Sequence, residues 1–167
     1  MIIKELKLRE FPYRSRRGLS ERLANHYFGQ RGYEVFRGTM VLGREFSVNY
    51  ELYENVKRKY DRLEAILTER LGLRLWVMRE ELTGGIPDFF VHKPGDCFFA
   101  EIKLEHEQIK PHQLQCAAKL EGFGFKVMLL RIKSKPYKLL SNVKLDGAGE
   151  KEVLVRQKRF RPAVNSH

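Results

Sequence analysis

The spacing of apolar residues along the chain predicts three helices, over residues 19–31, 48–71 and 112–122. The first helix carries an apolar stripe formed by Leu19, Leu23, Tyr27 and Phe28. The second keeps apolar residues three or four positions apart, and Gly72 follows it as a stop. Pro111 precedes the third, as is typical of a helix start. The second helix is long for a chain of 167 residues, so it either packs in the core or meets another subunit.

Shorter apolar runs between these helices predict strands. Residues 33–38 form one candidate strand, with a continuation through 39–43, and residues 73–79 form another. The segment 125–133 is strongly apolar, which is typical of a central strand that is buried on both faces.

Two further strands, over residues 86–92 and 97–105, flank a Pro-Gly turn at 93–96 and predict a hairpin. Helices therefore alternate with strands, and the hairpin adds an antiparallel pair. This order predicts an α/β fold with a mixed central sheet flanked by helices.

The length of the chain suits a single domain. We expect that domain to cover residues 1–145. Beyond it the chain becomes polar, so residues 146–167 are predicted to form a basic, loosely ordered tail. Within that tail, residues 153–155 can alternatively add an edge strand.

The predicted hairpin brings together residues that are able to carry out catalysis. Side chains alternate faces along a strand, so Glu101 and Lys103 point the same way, about 7 Å apart. If the two strands pair around the turn, Asp88 lies near Glu101. Two close carboxylates are costly to bury unless a cation lies between them, and a hard divalent ion such as Mg²⁺ prefers oxygen ligands.

This arrangement suits the hydrolysis of a phosphodiester bond. Water bound to a divalent cation becomes more acidic, so hydroxide is available near neutral pH. The ammonium of Lys103 can orient that water and offset the charge that develops on the phosphate. Glu and Lys alternate on many exposed strands, and Glu-x-Lys alone favours a surface role. The position of Asp88 after Gly-Gly-Ile-Pro, across a tight turn from Glu-x-Lys, favours the catalytic interpretation.

The charge of the chain indicates a polyanionic partner. The net charge is +11, and many of the basic residues occur in clusters. Such clusters favour contacts with the phosphate backbone of a nucleic acid. An anionic membrane is a weaker candidate, because the basic runs are not tied to one strongly amphipathic surface helix. The candidate phosphate-binding residues are Arg16, Arg17, Arg79, Lys133 and Lys135.

Two features of the composition favour an intracellular, cytoplasmic protein. No apolar run approaches the ~20 residues that span a bilayer. The first residues alternate charged with apolar side chains, unlike the apolar core of a signal peptide. The two cysteines, Cys97 and Cys116, match no zinc-binding spacing and are interpreted as buried, reduced thiols.

Several short motifs resemble those of one nuclease superfamily. GIPD at 85–88 followed by EIK at 101–103 resembles the Pro-Asp and Glu-x-Lys motifs of the PD-(D/E)XK nucleases. KPHQ at 110–113 resembles the VRR-NUC branch, in which a glutamine starts the helix after the Glu-x-Lys strand. SE at 20–21 lies in a segment similar to the first helix of that branch, which carries a further acidic residue. The resemblance covers about residues 19–132.

The resemblance implies a restriction-endonuclease-like core with a helical insertion at about 44–72. It also implies a set of metal-ligating groups, namely Asp88, Glu101, Glu21 and the backbone carbonyl of Ile102. Glu21 would face the metal directly or through water. Lys103 would position the water or stabilise the transition state, and Gln113 would contact the site from the following helix. Cys116 stands where many members of the branch carry an aromatic residue.

The resemblance further implies a deoxyribonuclease that depends on Mg²⁺ or Mn²⁺ and selects branched DNA, such as a Holliday junction. Stand-alone small members of the branch are typically dimers that act on such junctions, so we expect a homodimer with residues 48–71 as a candidate contact. Two alternatives stay open: a basic nucleic-acid-binding module without catalysis, and an RNA-processing nuclease. Nothing in the sequence separates RNA from DNA.

Overall fold

A mixed central sheet with helices on both faces makes up the described part of the protein. The computed structural model describes the backbone of residues 1–11, 19–43, 52–104, 107–144 and 154–157, and the side chains of residues 1–3, 22–43, 52–104 and 107–132. The strands are β1 (Ile2–Phe11), β2 (Glu34–Arg37), β3 (Phe89–Lys93), β4 (Asp96–Leu104), β5 (Lys126–Lys144) and β6 (Leu154–Gln157). The helices are α1 (Leu19–Gly29), α2 (Glu54–Leu71), α3 (Arg74–Glu81) and α4 (Pro111–Gly122), and a 3-10 helix spans Gly38–Leu42.

The strands of the central sheet lie in the order β1-β5-β4-β3-β2. β1, β5 and β4 run parallel to one another, whereas β3 is antiparallel to β4 and β2 is antiparallel to β3. β6 pairs antiparallel with the far end of β5, outside this order. The predicted α/β fold with a mixed sheet flanked by helices is therefore confirmed, and so is the predicted hairpin.

The alternation of side chains along the strands separates two hydrophobic clusters. On one face of the sheet, α1 packs against Phe98, Ala100 and Ile102 of β4. On the other face, α2, α3 and α4 cover Cys97 and Phe99 of the same strand. β5 contributes buried residues to both clusters, which confirms the prediction of a central strand buried on both faces.

The three predicted helices correspond to α1, α2 and α4. The predicted start of the second helix, residues 48–51, lies outside the described residues, and the observed helix begins at Glu54. The second half of α2 supplies its buried residues, which are Leu63, Ile66, Leu67 and Leu71. The first half of α2 is mostly exposed to solvent.

Residues 73–79 lie mostly in a helix, so the prediction of a strand there is wrong. Gly72 ends α2 with a φ of 53°, and α3 begins two residues later. Leu75 and Met78 are buried, whereas Trp76 is exposed. The apolar residues of this segment fit both the two-residue period of a strand and the longer period of a helix. Packing of one helical face against α2 and the sheet decides between the two.

The predicted continuation of the strand through residues 39–43 is also wrong, because Gly38–Leu42 form a 3-10 helix. The last pair between β2 and β3 joins Arg37 to Phe89. Since β3 begins at Phe89, the ladder between these two strands ends there.

The N-terminal strand β1 was not predicted. Leu6 and Leu8 alternate with charged residues, which is the pattern of a half-buried strand. β1 pairs with β5, and β5 itself extends to Lys144, past the predicted end at residue 133. The predicted basic tail lies outside the described residues except for Leu154–Gln157, which form β6 and so favour the alternative of an added edge strand.

Two further features bear on the expectations from composition. Cys97 and Cys116 are both buried and free, as predicted. Burial raises the pKa of each thiol above its ordinary value. Within the residues that the structure describes, no helix is long and apolar enough to cross a membrane.

Candidate active site

Four of the predicted site residues meet at one end of the β3–β4 hairpin. Asp88 immediately precedes β3, Glu101 and Lys103 lie in β4, and Gln113 lies in the first turn of α4. β3 runs antiparallel to β4, so the start of β3 lies beside the segment of β4 that carries Glu101. The structure thus brings the two carboxylates and the lysine together, with the glutamine approaching from the next helix.

Asp88 and Glu101 are joined by hydrogen bonds across the hairpin. The backbone N–H of Asp88 donates to Oε2 of Glu101 over 3.2 Å. The backbone N–H of Ile102 donates to Oδ2 of Asp88 over 2.9 Å. Each carboxylate therefore accepts a hydrogen bond from the backbone of the opposite segment. In a strand the N–H and C=O of one residue point to the same side, so the Ile102 carbonyl faces the side of Asp88.

Lys103 and Gln113 both contact the second oxygen of Glu101. Oε1 of Glu101 lies 2.5 Å from Nζ of Lys103 and accepts a hydrogen bond from Nε2 of Gln113 over 2.6 Å. Oε1 of Gln113 accepts a hydrogen bond from the backbone N–H of Lys110, just before α4, over 3.0 Å. This second bond helps to cap α4. It also fixes the amide so that its NH₂ group points at the carboxylate.

Two glycines allow the loop before Asp88 to lie close to its neighbours. A Cβ atom at Gly85, where φ is 71°, would lie 2.3 Å from the carbonyl oxygen of His112 in α4. A Cβ atom at Gly38 would lie 1.7 Å from the carbonyl oxygen of Pro87. The N–H of Gly38 donates to the carbonyl of Asp88 over 2.8 Å. The sequence analysis assigned Gly38 no role in the site. The available signal for such a role was that a glycine stands at the end of the predicted strand 33–38.

The protein environment disfavours the charged form of both carboxyl groups. Desolvation raises the pKa of Asp88, against the opposing effects of the Ile102 N–H and of Lys103. Desolvation likewise raises the pKa of Glu101, against the hydrogen bond from Lys103. Glu101 is 4% exposed, whereas Asp88 is an exposed residue. Removal from water is therefore more complete at Glu101.

Two neighbouring, desolvated carboxylates have the donor chemistry of a divalent-cation site. Mg²⁺ typically uses one or two carboxylates and completes its shell with water and substrate phosphate. Asp88 and Glu101 fit that requirement. Among the described residues there is no cluster of three or more His, Cys, Asp or Glu side chains placed to hold a metal. The further acidic residue that was predicted, Glu21, belongs to α1, but its side chain lies outside the described residues.

Of the predicted phosphate-binding residues, Arg79 has a side chain that the structure describes. Nε of Arg79 donates to the carbonyl of Val41 over 2.9 Å, and its guanidinium pairs with Glu64. These contacts give Arg79 a structural role between the 3-10 helix, α2 and α3, while a phosphate contact stays a prediction. The other candidates lie outside the described residues, wholly or with their side chains: Arg16, Arg17, Lys133 and Lys135.

Comparison of the chain with protein-family models, with curated proteins and with solved structures found no match. The α/β class of the fold is shown by the strands and helices themselves. What the site does must therefore be argued from the hairpin, from the helix that contacts it and from the chemistry of their side chains.

Proposed function

We propose that this protein is a divalent-metal-dependent nuclease of the PD-(D/E)XK type, with a restriction-endonuclease-like core. The observation that supports this most is the convergence of Asp88, Glu101 and Lys103, with Gln113 bound to Glu101. If the Glu-x-Lys motif lay on the protein surface without a function, its glutamate side chain would be exposed to water. Glu101 is instead only 4% exposed. A buried ionisable group with a shifted pKa and a specific charged partner is typical of a functional site.

Each residue has its own task in this proposal. The cation ligands are Asp88, Glu101, the carbonyl of Ile102 and, directly or through water, Glu21. The chemistry that Mg²⁺ or Mn²⁺ supplies when bound is the acidification of water and positive charge beside the phosphate. Lys103 holds its ammonium beside Glu101, where it can orient a water molecule and stabilise charge on the phosphate. Gln113 keeps the Glu101 carboxylate in place through its hydrogen bond.

The proposed substrate is DNA, and branched DNA such as a four-way junction is its proposed preferred form. The net charge of +11 supports a nucleic-acid substrate, because cations that neutralise phosphates contribute most of the non-specific affinity for nucleic acids. The preference for junctions, a homodimer and a cytoplasmic location are proposed from the resemblance to the VRR-NUC branch and from composition.

The test is a cleavage assay with matched variants. A labelled four-way junction, the corresponding duplex and single strand, and an RNA of the same sequence are incubated with protein in Mg²⁺, Mn²⁺ or EDTA. The variants are Glu101→Gln and, as a control, Glu69→Gln. Glu69 is an exposed acid in α2, so its substitution makes the same chemical change away from the site. We expect the wild type and Glu69→Gln to cleave the junction in metal, and Glu101→Gln to be at least roughly 100-fold slower.

The other outcomes separate the parts of the proposal. Cleavage of duplex or single-stranded DNA alone would support the proposed nuclease activity and contradict the proposed preference for junctions. Cleavage of RNA alone would make the protein an RNA-processing nuclease. If the protein binds the nucleic acids but cleaves none of them in either metal, the proposed nuclease activity is contradicted. The protein would then be a basic nucleic-acid-binding module.

A further inference from the structure

A pocket of about 230 Å³ lies beside the end of α1, on the face of the sheet that α1 covers. Its floor is formed by three buried aromatic residues, Tyr27, Phe28 and Phe98. Its walls are more exposed and are formed by Ile2, Tyr33 and Met128. Tyr33, Phe28 and Phe98 contact one another edge to face, with ring centroids between 5.4 and 6.3 Å apart. The pocket is therefore an aromatic recess in a packed part of the fold.

Three charged side chains, Arg31, Asp96 and Lys126, complete the lining of the pocket. The Arg31 guanidinium lies 3.9 Å from the centre of the Tyr27 ring and donates to the Tyr27 carbonyl over 2.8 Å. The Tyr33 hydroxyl donates to Oδ2 of Asp96 over 2.7 Å, and Nζ of Lys126 lies 3.7 Å from Oδ1. An ionised carboxylate has about four lone-pair sites. Asp96 can therefore accept further hydrogen bonds while it keeps these partners.

We propose that this pocket binds one nucleotide whose base carries an exocyclic amino group. Tyr33 is the half-buried aromatic residue of the lining, and an aromatic ring favours the flat face of a base, whatever the base. Arg31 and Lys126 supply the positive charge that a phosphate requires, and arginine presents donors that match phosphate geometry. The small volume argues against a large cofactor as the ligand.

Asp96 is the group that selects the base. A carboxylate accepts hydrogen bonds from the amino group of cytosine. Uracil has a carbonyl oxygen at the same position, and two acceptors repel each other. Inorganic phosphate lacks the base that contacts Asp96 and Tyr33, so it should bind this pocket more weakly than the nucleotide does.

The pocket is separate from the candidate active site. Asp96 and Glu101 both lie in β4, and at ~3.3 Å per residue they are about 16 Å apart along the strand. Phe98 packs on the α1 face, whereas Phe99, which shares the face of Glu101, packs beneath the other helices. The nucleotide proposal therefore does not depend on the nuclease proposal.

The test is isothermal titration of the full chain in EDTA with CMP, UMP, cytidine and inorganic phosphate. We expect CMP to bind roughly tenfold more tightly than UMP, because the two differ at the group that faces Asp96. Cytidine should bind more weakly than CMP, because it lacks the phosphate. Inorganic phosphate should not displace CMP at equal concentration.

Substitutions in the lining test whether CMP binds in this pocket. Lys126→Met and Arg31→Met should each weaken CMP binding roughly tenfold, since each removes one cation from the phosphate. Lys57→Met is the matched control, because Lys57 is an exposed cation in α2 on the other face of the sheet, and CMP binding should not change. Asp96→Asn should remove the preference for CMP over UMP, because an amide can donate to the uracil carbonyl. A merely structural role for Asp96 would weaken both ligands equally.

The nucleotide can be free or belong to a strand, and the same variants distinguish the two sources. Tight binding of CMP identifies a free nucleotide as the ligand, whereas a cytidine oligonucleotide that binds far better than CMP, and loses that advantage in Lys126→Met, identifies a strand. No binding of either ligand, or equal effects of Lys126→Met and Lys57→Met, would overturn the proposal. CMP binding is measured in EDTA and junction cleavage in metal, so a failure of one proposal is recognised separately from a failure of the other.

Discussion

The two faces of β4 bury very different residues at neighbouring positions of one strand. On the α1 face, Phe98, Ala100 and Ile102 are all buried and apolar. On the opposite face, Phe99 is fully buried, and the next residue on that face is Glu101, which is 4% exposed. An apolar side chain is stable in such a place if it is packed well. A buried carboxylate is stable there only if hydrogen-bond donors or cations surround it.

The partners of Glu101 come from three separate segments of the chain. They are the backbone of Asp88 before β3, Lys103 in β4 and Gln113 in α4. The apolar face of β4 depends mainly on the volume and packing of its side chains. On the opposite face, the position of Glu101 depends in addition on where the loop before β3 and the helix α4 are held. Mutations should therefore affect the two regions in different ways.

The largest expected effect is a loss of packing next to the site. Phe99 is fully buried, and its ring lies 5.1 Å from that of Phe90 and 5.2 Å from that of Phe125. We expect Phe99→Ala to lower the free energy of unfolding by about 3–5 kcal/mol, measured by urea denaturation. Leu73→Ala is the control, because Leu73 is 94% exposed, and it should change stability by less than about 0.5 kcal/mol. Similar losses in the two variants would contradict the described core.

A smaller effect is expected when the loop before Asp88 is displaced. Gly85→Ala would place a Cβ atom 2.3 Å from the His112 carbonyl, at a φ of 71° that alanine disfavours. We expect a loss of about 3 kcal/mol in unfolding free energy, together with a slower cleavage rate because Asp88 shifts. Gly84→Ala is the matched control, since a Cβ atom there meets nothing within 4 Å. Equal effects of the two substitutions would mean that the loop does not lie against α4.

A smaller effect again is expected at the glutamine that contacts the site. Gln113→Leu removes the hydrogen bond to Glu101 and the one from Lys110, so we expect a loss of about 1.5 kcal/mol in unfolding free energy. Cleavage should fall by roughly 10-fold or more, because the Glu101 carboxylate is less well held. Gln115→Leu is the control on the exposed side of the same helix and should leave both quantities nearly unchanged. A normal cleavage rate in Gln113→Leu would remove Gln113 from the site.

Local signals explain which parts of the fold could be predicted. The helical period specifies α1, Pro111 specifies the start of α4, and the Pro-Gly turn specifies the hairpin. α3 could not be predicted, because its apolar residues fit a strand as well as a helix, and burial against α2 decides. β1 was missed because its partner, β5, lies far away in the sequence, so no neighbouring segment indicates a pairing.

The candidate site also combines contacts that local sequence patterns predict with contacts that they do not. Alternation along one strand places Glu101 and Lys103 on one face, and a tight turn places Asp88 beside them, so both could be derived from the residues. The contact of Gln113 was predicted through the resemblance alone. The close approach of Gly38 to the loop before Asp88 joins segments that are distant in sequence. Such contacts depend on tertiary packing, which no local pattern specifies.

The smallest and most specific effect is a dependence of stability on pH, because Glu101 titrates whereas Phe98, Ala100 and Ile102 on the opposite face carry no group that does. Burial raises the pKa of Glu101 above its ordinary value of 4.5, so the folded protein holds this proton more tightly than the unfolded chain does. The unfolding free energy should therefore fall as pH rises from 4.5 through the raised pKa, and stay low above it. Desolvation shifts the pKa of Asp88 in the same direction.

We expect the wild type in EDTA to show this decrease, and Glu101→Gln to show less of it, when urea denaturation is compared between pH 5 and pH 7.5. Glu69→Gln should keep the wild-type dependence, because Glu69 is exposed. Mg²⁺ at pH 7.5 should stabilise the wild type and not Glu101→Gln, because ligand binding to the folded state alone raises its stability. An identical pH dependence in Glu101→Gln and the wild type would show that the buried carboxylate is not its source.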